Sequence, residues 1–400
     1  MEQHAPKLGD IRWAAGPRAV VLPAAIGLVA LALGGLSALG SAAARADFFR
    51  AYLTSFVFFL SLALGALVFV LLAHLMRAGW SVALRRIAEI VAWTLLPLAP
   101  LALVLLAGMH DLYEWTHAEA VAADALLQHK QAWLNPPFFV ARLVVYLATW
   151  AGLSVLLLRR SETQDRTGDP ALTLRSEGLA GPATIVFAFT VTFASFDLVM
   201  SLDPHWYSTI FGVYFFAGAF LGFTALLVVL LAVLGRRSEL GRLVGTEHQH
   251  DLGKLLFAFV VFWAYIGFSQ YMLIWYTNLP EETVWYAARQ TGPWAAVSLL
   301  LLFGHFLAPF FLLMSRHPKR RRAVLLAAAV WLLAMHWLDL FWLVMPGARD
   351  TGSLLRLVDL ACFVGLGGLF LAALAWRLRR ANLIPLRDPR LAESLGFENA

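Results

Sequence analysis

The sequence predicts an all-α integral membrane protein of ten transmembrane helices, on three observations. Of its 400 residues, 60% are hydrophobic and 14% charged, with a mean hydropathy of +0.72. A soluble globular chain is nearer 45–50% apolar and about 25% charged. The apolar residues form ten runs of about twenty residues, the length that crosses a bilayer core as a helix and too long for a barrel strand. The basic residues sit in short clusters between these runs, where they orient a membrane protein and do not suggest a nucleic-acid partner.

Taken in order, the spans are predicted at 18–40, 51–77, 87–109, 137–158, 182–202, 207–234, 252–277, 293–315, 323–345 and 353–376. The first run has a basic leader and ends near Ser-Ala-Ala-Ala-Arg-Ala (41–46), as a signal peptide would. Its apolar part, about 22 residues, exceeds the 7–15 of a signal core, so it is taken as a span. The stretches 110–136, 159–181 and the tail from 377 are too short to bury a core of their own. The chain therefore divides into a segment 1–17, a membrane domain 18–376 and a tail 377–400. Ten spans leave room for two four-helix bundles, about 51–202 and 207–345, with one flanking helix at each end. The single cysteine, Cys362, excludes an intrachain disulfide and any Cys-ligated iron–sulfur cluster or structural zinc held by this chain alone.

Of the 31 Lys and Arg residues, all but Arg45, Arg50, Lys130, Arg142, Arg289, Arg349 and Arg356 fall on the side that carries both termini. Arg85, Arg86, Arg236, Arg237 and Lys319–Arg322 are among them. The positive-inside rule then places both termini in the cytoplasm. The joint Asp203-Pro204-His205-Trp206, between the fifth and sixth spans, faces outward with the 110–136 connection. Trp115, Trp133, Trp206, Trp285 and Trp294 cluster near that boundary, as interfacial anchors do.

Polar groups inside apolar spans are the candidate sites, because a carboxylate there is costly. Asp197 shares a helix face with Thr190 and Ser201, and is expected to be a protonatable group opening outward. The alternative is a structural carboxylate paired to a neighbouring helix. Asp203 and His205 lie in the joint, where Asp before Pro is also an ordinary turn signal. His336 and Asp339, three residues apart, can relay protons or hydrogen-bond a quinone carbonyl, or else pair to hold helices together. Asp359 has Arg356 one turn away and is expected to form a local ion pair. His110, Asp111 and Glu114 could contact a quinone or line the rim, in a stretch 110–117 expected to be a solvated, titrating outer rim. His110, Glu114 and His117 would share one helical face, but only half of a carboxylate di-metal motif is present. His305 and His336 raise bis-His haem ligation, against which stands the lack of evident space-making residues. His74 and Glu89 could begin an inner half-channel, or be solvated at headgroup level.

Residues 196–215, with Phe196-Asp197 and Met200-Ser201-Leu202-Asp203-Pro204-His205-Trp206-Tyr207-Ser208-Thr209-Ile210-Phe211-Gly212-Val213-Tyr214-Phe215, resemble the quinol:cytochrome c oxidoreductase membrane subunits of alternative complex III. The fit is best to the ActF-type subunit, a relative of the NrfD/PsrC-like proteins. The resemblance implies bundles of spans 2–5 and 6–9 in a bacterial inner membrane. It implies as partners a second NrfD-like membrane subunit, an iron–sulfur subunit and c-type haem subunits. Quinol would be oxidised near the outer face, with this subunit in a proton-conducting or structural role and no cofactor bound by this chain alone. Asp197, Asp203 and His205 are the residues the motif carries; with His336 and Asp339 they make the expected proton path. One alternative is the quinol-binding core subunit itself, with His336, Asp339 or His110 at the ring. Another is a secondary transporter, which would need broken helices at mid-membrane; the spans hold few interruptions beyond Pro97, Pro100 and Pro309.

Overall fold

The computed structural model describes residues 9–236, 238–349 and 353–398; Arg237, counted above, lies outside them, as do the two extreme ends of the chain. Among the described residues, ten helices are long and apolar enough to cross a membrane. They are α1 (Arg18–Ser37), α2 (Ala42–Leu75), α3 (Gly79–Ala107), α4 (Pro136–Thr167), α5 (Ala171–Leu202), α6 (Phe211–Gly235), α7 (Thr246–Thr277), α8 (Gly292–Met314), α9 (Arg322–Val344) and α10 (Leu357–Leu378). No strand occurs among the described residues. The chain is an all-α membrane protein.

Helices α2–α5 pack in a ring of four and α6–α9 in a second, each helix against its chain neighbour and the last against the first. The rings meet through α2 and α6, and α10 lies on α2 with α1 along its other side. Helix α2 is apolar on every face and so takes the centre: 94% of its most apolar window is buried, against 11% for α1. Gly65 lets α2 and α6 touch, since a Cβ there would lie 2.3 Å from the Ala219 carbonyl oxygen.

Several helices outrun their predicted spans because polar turns find partners. Helix α2 starts about two turns early, capped by Ser41 accepting from the Ala44 N–H at 3.1 Å. Arg45 in its first turns pairs with Asp111 at 2.9 Å, and Asp47 with Arg349 at 3.0 Å. Two helices are interrupted at their prolines. In α3, a 3₁₀ turn spans Ala99–Leu101 around Pro100, and the Tyr52 hydroxyl donates to the Leu101 carbonyl at 2.8 Å. In α8, Leu301–Leu307 is a π-helix just before Pro309, with the Gly304 carbonyl accepting from Trp331 Nε1 at 2.7 Å.

The first and last described segments meet at one end of the bundles, where the Leu383 N–H donates to the Ile11 carbonyl at 2.8 Å. The tail is packed, not loose. Asp388 pairs with Arg85, while Glu89 receives Arg85 Nε at 3.3 Å and Arg86 Nε at 3.1 Å. Arg86 also donates to Asp165 at 2.8 Å. Glu89 is thus locked in an ion cluster, neither solvated nor at a channel mouth. Deleting residues from Asn382 onward should lower the melting temperature of the solubilised protein, because Arg85 then loses a buried partner. An unchanged melting temperature would show the tail to be an appendage.

Candidate functional site

Asp197 is buried between α4 and α5, and its partners come from the first bundle. Arg142 donates to both carboxylate oxygens, through Nε and Nη2, at 2.8 Å each. The Tyr146 hydroxyl adds a bond at 2.9 Å and Trp133 Nε1 one at 3.0 Å. The Arg142 guanidinium lies over the Trp133 ring, 4.1 Å from its centroid, and over Phe138 at 4.3 Å. Arg142, Tyr146 and Trp150 recur every four residues and so share one face of α4. That face meets Asp197 and Thr190, the latter accepting from Trp150 Nε1 at 2.9 Å. Ser201 completes the predicted face differently, donating to the Asp197 carbonyl at 2.6 Å. The predicted partnership of Asp197 with His336 and Asp339 is therefore corrected. Those two residues are in α9, in the other bundle, bonded to other side chains. Four donors fill the Asp197 carboxylate, as in a helix-joining ion pair.

The joint is a stitched turn. Asp203 Oδ1 accepts from the His205 N–H at 3.3 Å, and His205 Nε2 meets Asp124 at 2.6 Å. That contact holds the Asp124 carboxyl below the usual carboxylate range. Lys130 Nζ donates to the Pro204 carbonyl at 2.6 Å, and Trp206 stacks on Trp285 with centroids 4.2 Å apart. Of the five tryptophans expected as interfacial anchors, only Trp133 is exposed; Trp115, Trp206, Trp285 and Trp294 are buried packing groups. In the rim, His110, Glu114 and His117 do not share a helical face. The helix ends at Leu112, Tyr113 is extended, and a 3₁₀ turn follows. His117 Nε2 bonds the His110 carbonyl at 2.8 Å and the two rings stack, while Glu114 is exposed and Asp111 serves Arg45. No group of three or more His, Cys, Asp or Glu is placed to hold a metal ion among the described residues. Asp359, expected to pair with the Arg356 side chain, instead accepts from Arg349 Nη1 at 2.5 Å and from the Arg356 backbone N–H at 2.8 Å; the Arg356 side chain goes to Asp47.

The second bundle holds the arrangement with the most chemistry. Asp339 is 2% exposed, and its carboxylate accepts from the Tyr214 hydroxyl and from Trp263 Nε1, the latter at 3.1 Å. One turn earlier on α9, His336 Nε2 meets the Ser61 hydroxyl of α2 at 2.8 Å, which ties the two bundles together. Two glycines of α6 make the notch for this imidazole. A Cβ on Gly218 would lie 3.1 Å from His336 Cε1, and one on Gly222 only 2.6 Å from Cδ2. These small residues make room for His336 itself, so the pair His305–His336 gains no haem-sized space from them. His305 sits in the π-helix of α8, fully buried, its ring 4.1 Å from that of Trp263. Neither of its nitrogens has a hydrogen-bond partner among the described residues, and His336 Nδ1 has none there either. Such buried polar atoms are costly and mark a functional or solvated position.

Tyr214 and Trp263 form the inner wall of a pocket of about 810 Å³ between α7 and α8. Its polar groups lie toward the joint end: Gln270, which accepts from Ser208 at 2.9 Å and donates to the Tyr286 hydroxyl at 2.9 Å, and Trp342, whose Nε1 donates to Ser298 at 2.8 Å. Its mouth is made by Val261, Tyr265, Phe268, Leu299 and Leu302, all exposed on the apolar flank where lipid would lie. Behind Tyr286 and Trp342, Arg289 donates to the Leu343 carbonyl at 3.0 Å and the Trp342 carbonyl at 3.3 Å, capping α9. Burial pushes this guanidinium down to about 9, so it stays charged at neutral pH. Sequence reasoning found Asp339, His336 and His305 but missed Tyr214, Trp263, Ser61 and the two glycines. The available signal was Tyr214 and Gly218, a turn apart in a run already singled out for its joint.

Comparison with known proteins finds no matching family model and no matching curated protein.

Proposed function

We propose that the chain is a membrane subunit of a quinol-oxidising complex of the alternative complex III kind, and that its second bundle handles protons from quinol at Asp339. The observation that carries this is the pocket between α7 and α8. It has the size and apolar lining of a small-ligand site, a lateral mouth that a membrane-dissolved molecule can enter, and an inner wall bonded to a buried carboxylate. Quinol supplies two protons and two electrons on oxidation. The chain's own part is to accept protons: the Tyr214 hydroxyl takes one from the pocket side as it passes its own to Asp339. His336, one turn away on α9, is hydrogen-bonded to Ser61 of the first bundle, with no hydrogen bond joining His336 to Asp339 among the described residues. Electrons would leave through the iron–sulfur and haem subunits named by the resemblance.

The same pocket favours, as a second reading, that this subunit itself seats the quinol ring. A photoreactive quinone analogue in the native complex should label residues of α7 and α8, around Tyr271 or Leu302, and be competed away by unlabelled quinone. Labelling confined to other subunits would leave this chain with proton handling alone. The basic asymmetry supports an orientation with both termini in the cytoplasm and the pocket in the outer half; the bacterial inner membrane is what the resemblance implies. Reporter fusions after Ala381 and after Trp133 should score inside and outside respectively; the same side for both would remove the sidedness.

A further inference from the structure

A second cavity, of about 540 Å³, lies at the termini end of the second bundle, between the end of α6, the start of α7 and the start of α9. It shares no lining residue with the pocket beside Asp339, which opens laterally between α7 and α8, and the proposed function makes no use of it. Three of its features differ in chemistry and converge. Its deep wall is aliphatic, from Val228 and Leu231 of α6, Leu252 of α7 and Leu325 of α9. Its rim carries two exposed arginines, Arg236 at the end of α6 and Arg322 in the first turn of α9. The Arg236 side chain has no hydrogen bond or ion pair among the described residues, and Arg322 spends one donor on the Gly241 carbonyl at 3.3 Å. The acids nearby are answered by other bases, Glu239 by Arg242 at 3.5 Å and Glu247 by Arg320.

The third feature is the N-terminus of α9 itself. Its N-cap position is Arg321, which provides no side-chain cap, and Arg322 and Ala323 of the first turn both line the cavity. The first N–H groups of a helix have no partner within it and carry a partial positive charge. An uncapped helix start beside two guanidinium groups is suited to a phosphate oxygen cluster. The aliphatic wall beneath requires that this phosphate carry a hydrocarbon chain. A soluble anion would leave the wall wet, and a zwitterionic lipid would bring a cation to a rim that already has an excess of them.

We infer that this cavity binds one anionic phospholipid, with its phosphate at Arg236, Arg322 and the start of α9 and an acyl chain along Leu231, Leu252 and Leu325. Basic pockets between helices near a membrane surface bind acidic headgroups in this way. The lipid would fill the groove where α6, α7 and α9 splay apart and hold the second bundle closed at the end opposite the joint.

The test is native mass spectrometry of the purified membrane protein, titrated with phosphatidylglycerol or with phosphatidylcholine of the same acyl chains. The wild-type protein should retain one phosphatidylglycerol in preference to phosphatidylcholine. Arg236→Gln combined with Arg322→Gln should weaken that retention on the order of tenfold. Arg159→Gln combined with Arg18→Gln removes equal charge from exposed positions elsewhere and should leave it unchanged. Equal retention of both lipids by the wild type would overturn the inference without recourse to any variant. So would equal loss in the two double variants, or displacement of the lipid by millimolar inorganic phosphate, which would make the site one for a free anion.

Discussion

Asp197→Leu is expected to destabilise the protein by about 3–5 kcal/mol, the cost of leaving one member of a buried ion pair without its partner. The Arg142 guanidinium, 7% exposed, would lose both of its carboxylate bonds and keep only its bond to the Trp133 carbonyl at 3.0 Å. Tyr146 and Trp133 would each lose an acceptor as well. Asp197→Asn keeps the shape but offers one acceptor oxygen where four donors converge, and it removes the charge; its loss should be a large part of the leucine value. The decisive comparison is the double variant Asp197→Leu with Arg142→Met. Removing both charges leaves no uncompensated ion, so this variant should be more stable than either single one. Thermal unfolding of the solubilised protein reads all three. If the double variant were merely the sum of the singles, the pair would not be acting as a unit.

Asp339→Asn is expected to act on turnover and not on assembly. The amide can still accept from Tyr214 or Trp263, but it cannot take up a proton. Removing a positioned proton acceptor typically costs about 10²- to 10⁴-fold in rate. Quinol oxidation by a complex that assembles in normal yield should fall by about that factor. Asp339→Leu should damage assembly too, since the Tyr214 hydroxyl and Trp263 N–H are then buried without an acceptor, at about 1–3 kcal/mol each. The ranking reverses the one for Asp197: there stability falls first, here activity. A complex in which Asp339→Asn unfolds while the assembled fraction works normally would place Asp339 beside Asp197 as a structural group.

How far the sequence revealed this depends on the kind of signal. Ten apolar runs were legible because crossing length is a local property of the chain, and the helices appear in that order. Their ends were not, since they depend on distant partners: α2 starts at Ala42 because Arg45 and Asp47 find Asp111 and Arg349. Arg142 shows the same limit inside a span. It was visible as a cation within the apolar run 137–158, yet it was counted as a surface charge, and its pairing with Asp197 is a tertiary fact. The rule that a buried charge needs a partner could have joined the two, had both been weighed as intramembrane groups. Asp339 and His336 were legible as a pair on one helix face. Their setting was not, because Tyr214, Trp263, Ser61 and the Gly218–Gly222 notch come from three other helices. Pro309 was noted as an interruption, but nothing local announced that it would widen α8 into the π-helix that presents His305 to Trp263.

Passage of quinol protons through Asp339 in the second bundle, and not through Asp197 in the first, is the step proposed for this chain. It is tested most directly by timing proton release after a single quinol-oxidising turnover of the assembled complex. Wild type should be compared with Asp339→Asn and with the paired Asp197→Leu, Arg142→Met variant. Release should be slowed by about 10²-fold or more in Asp339→Asn and stay near wild type in the Asp197 double variant. Normal release from Asp339→Asn, or slow release from a stable Asp197 double variant, would contradict it.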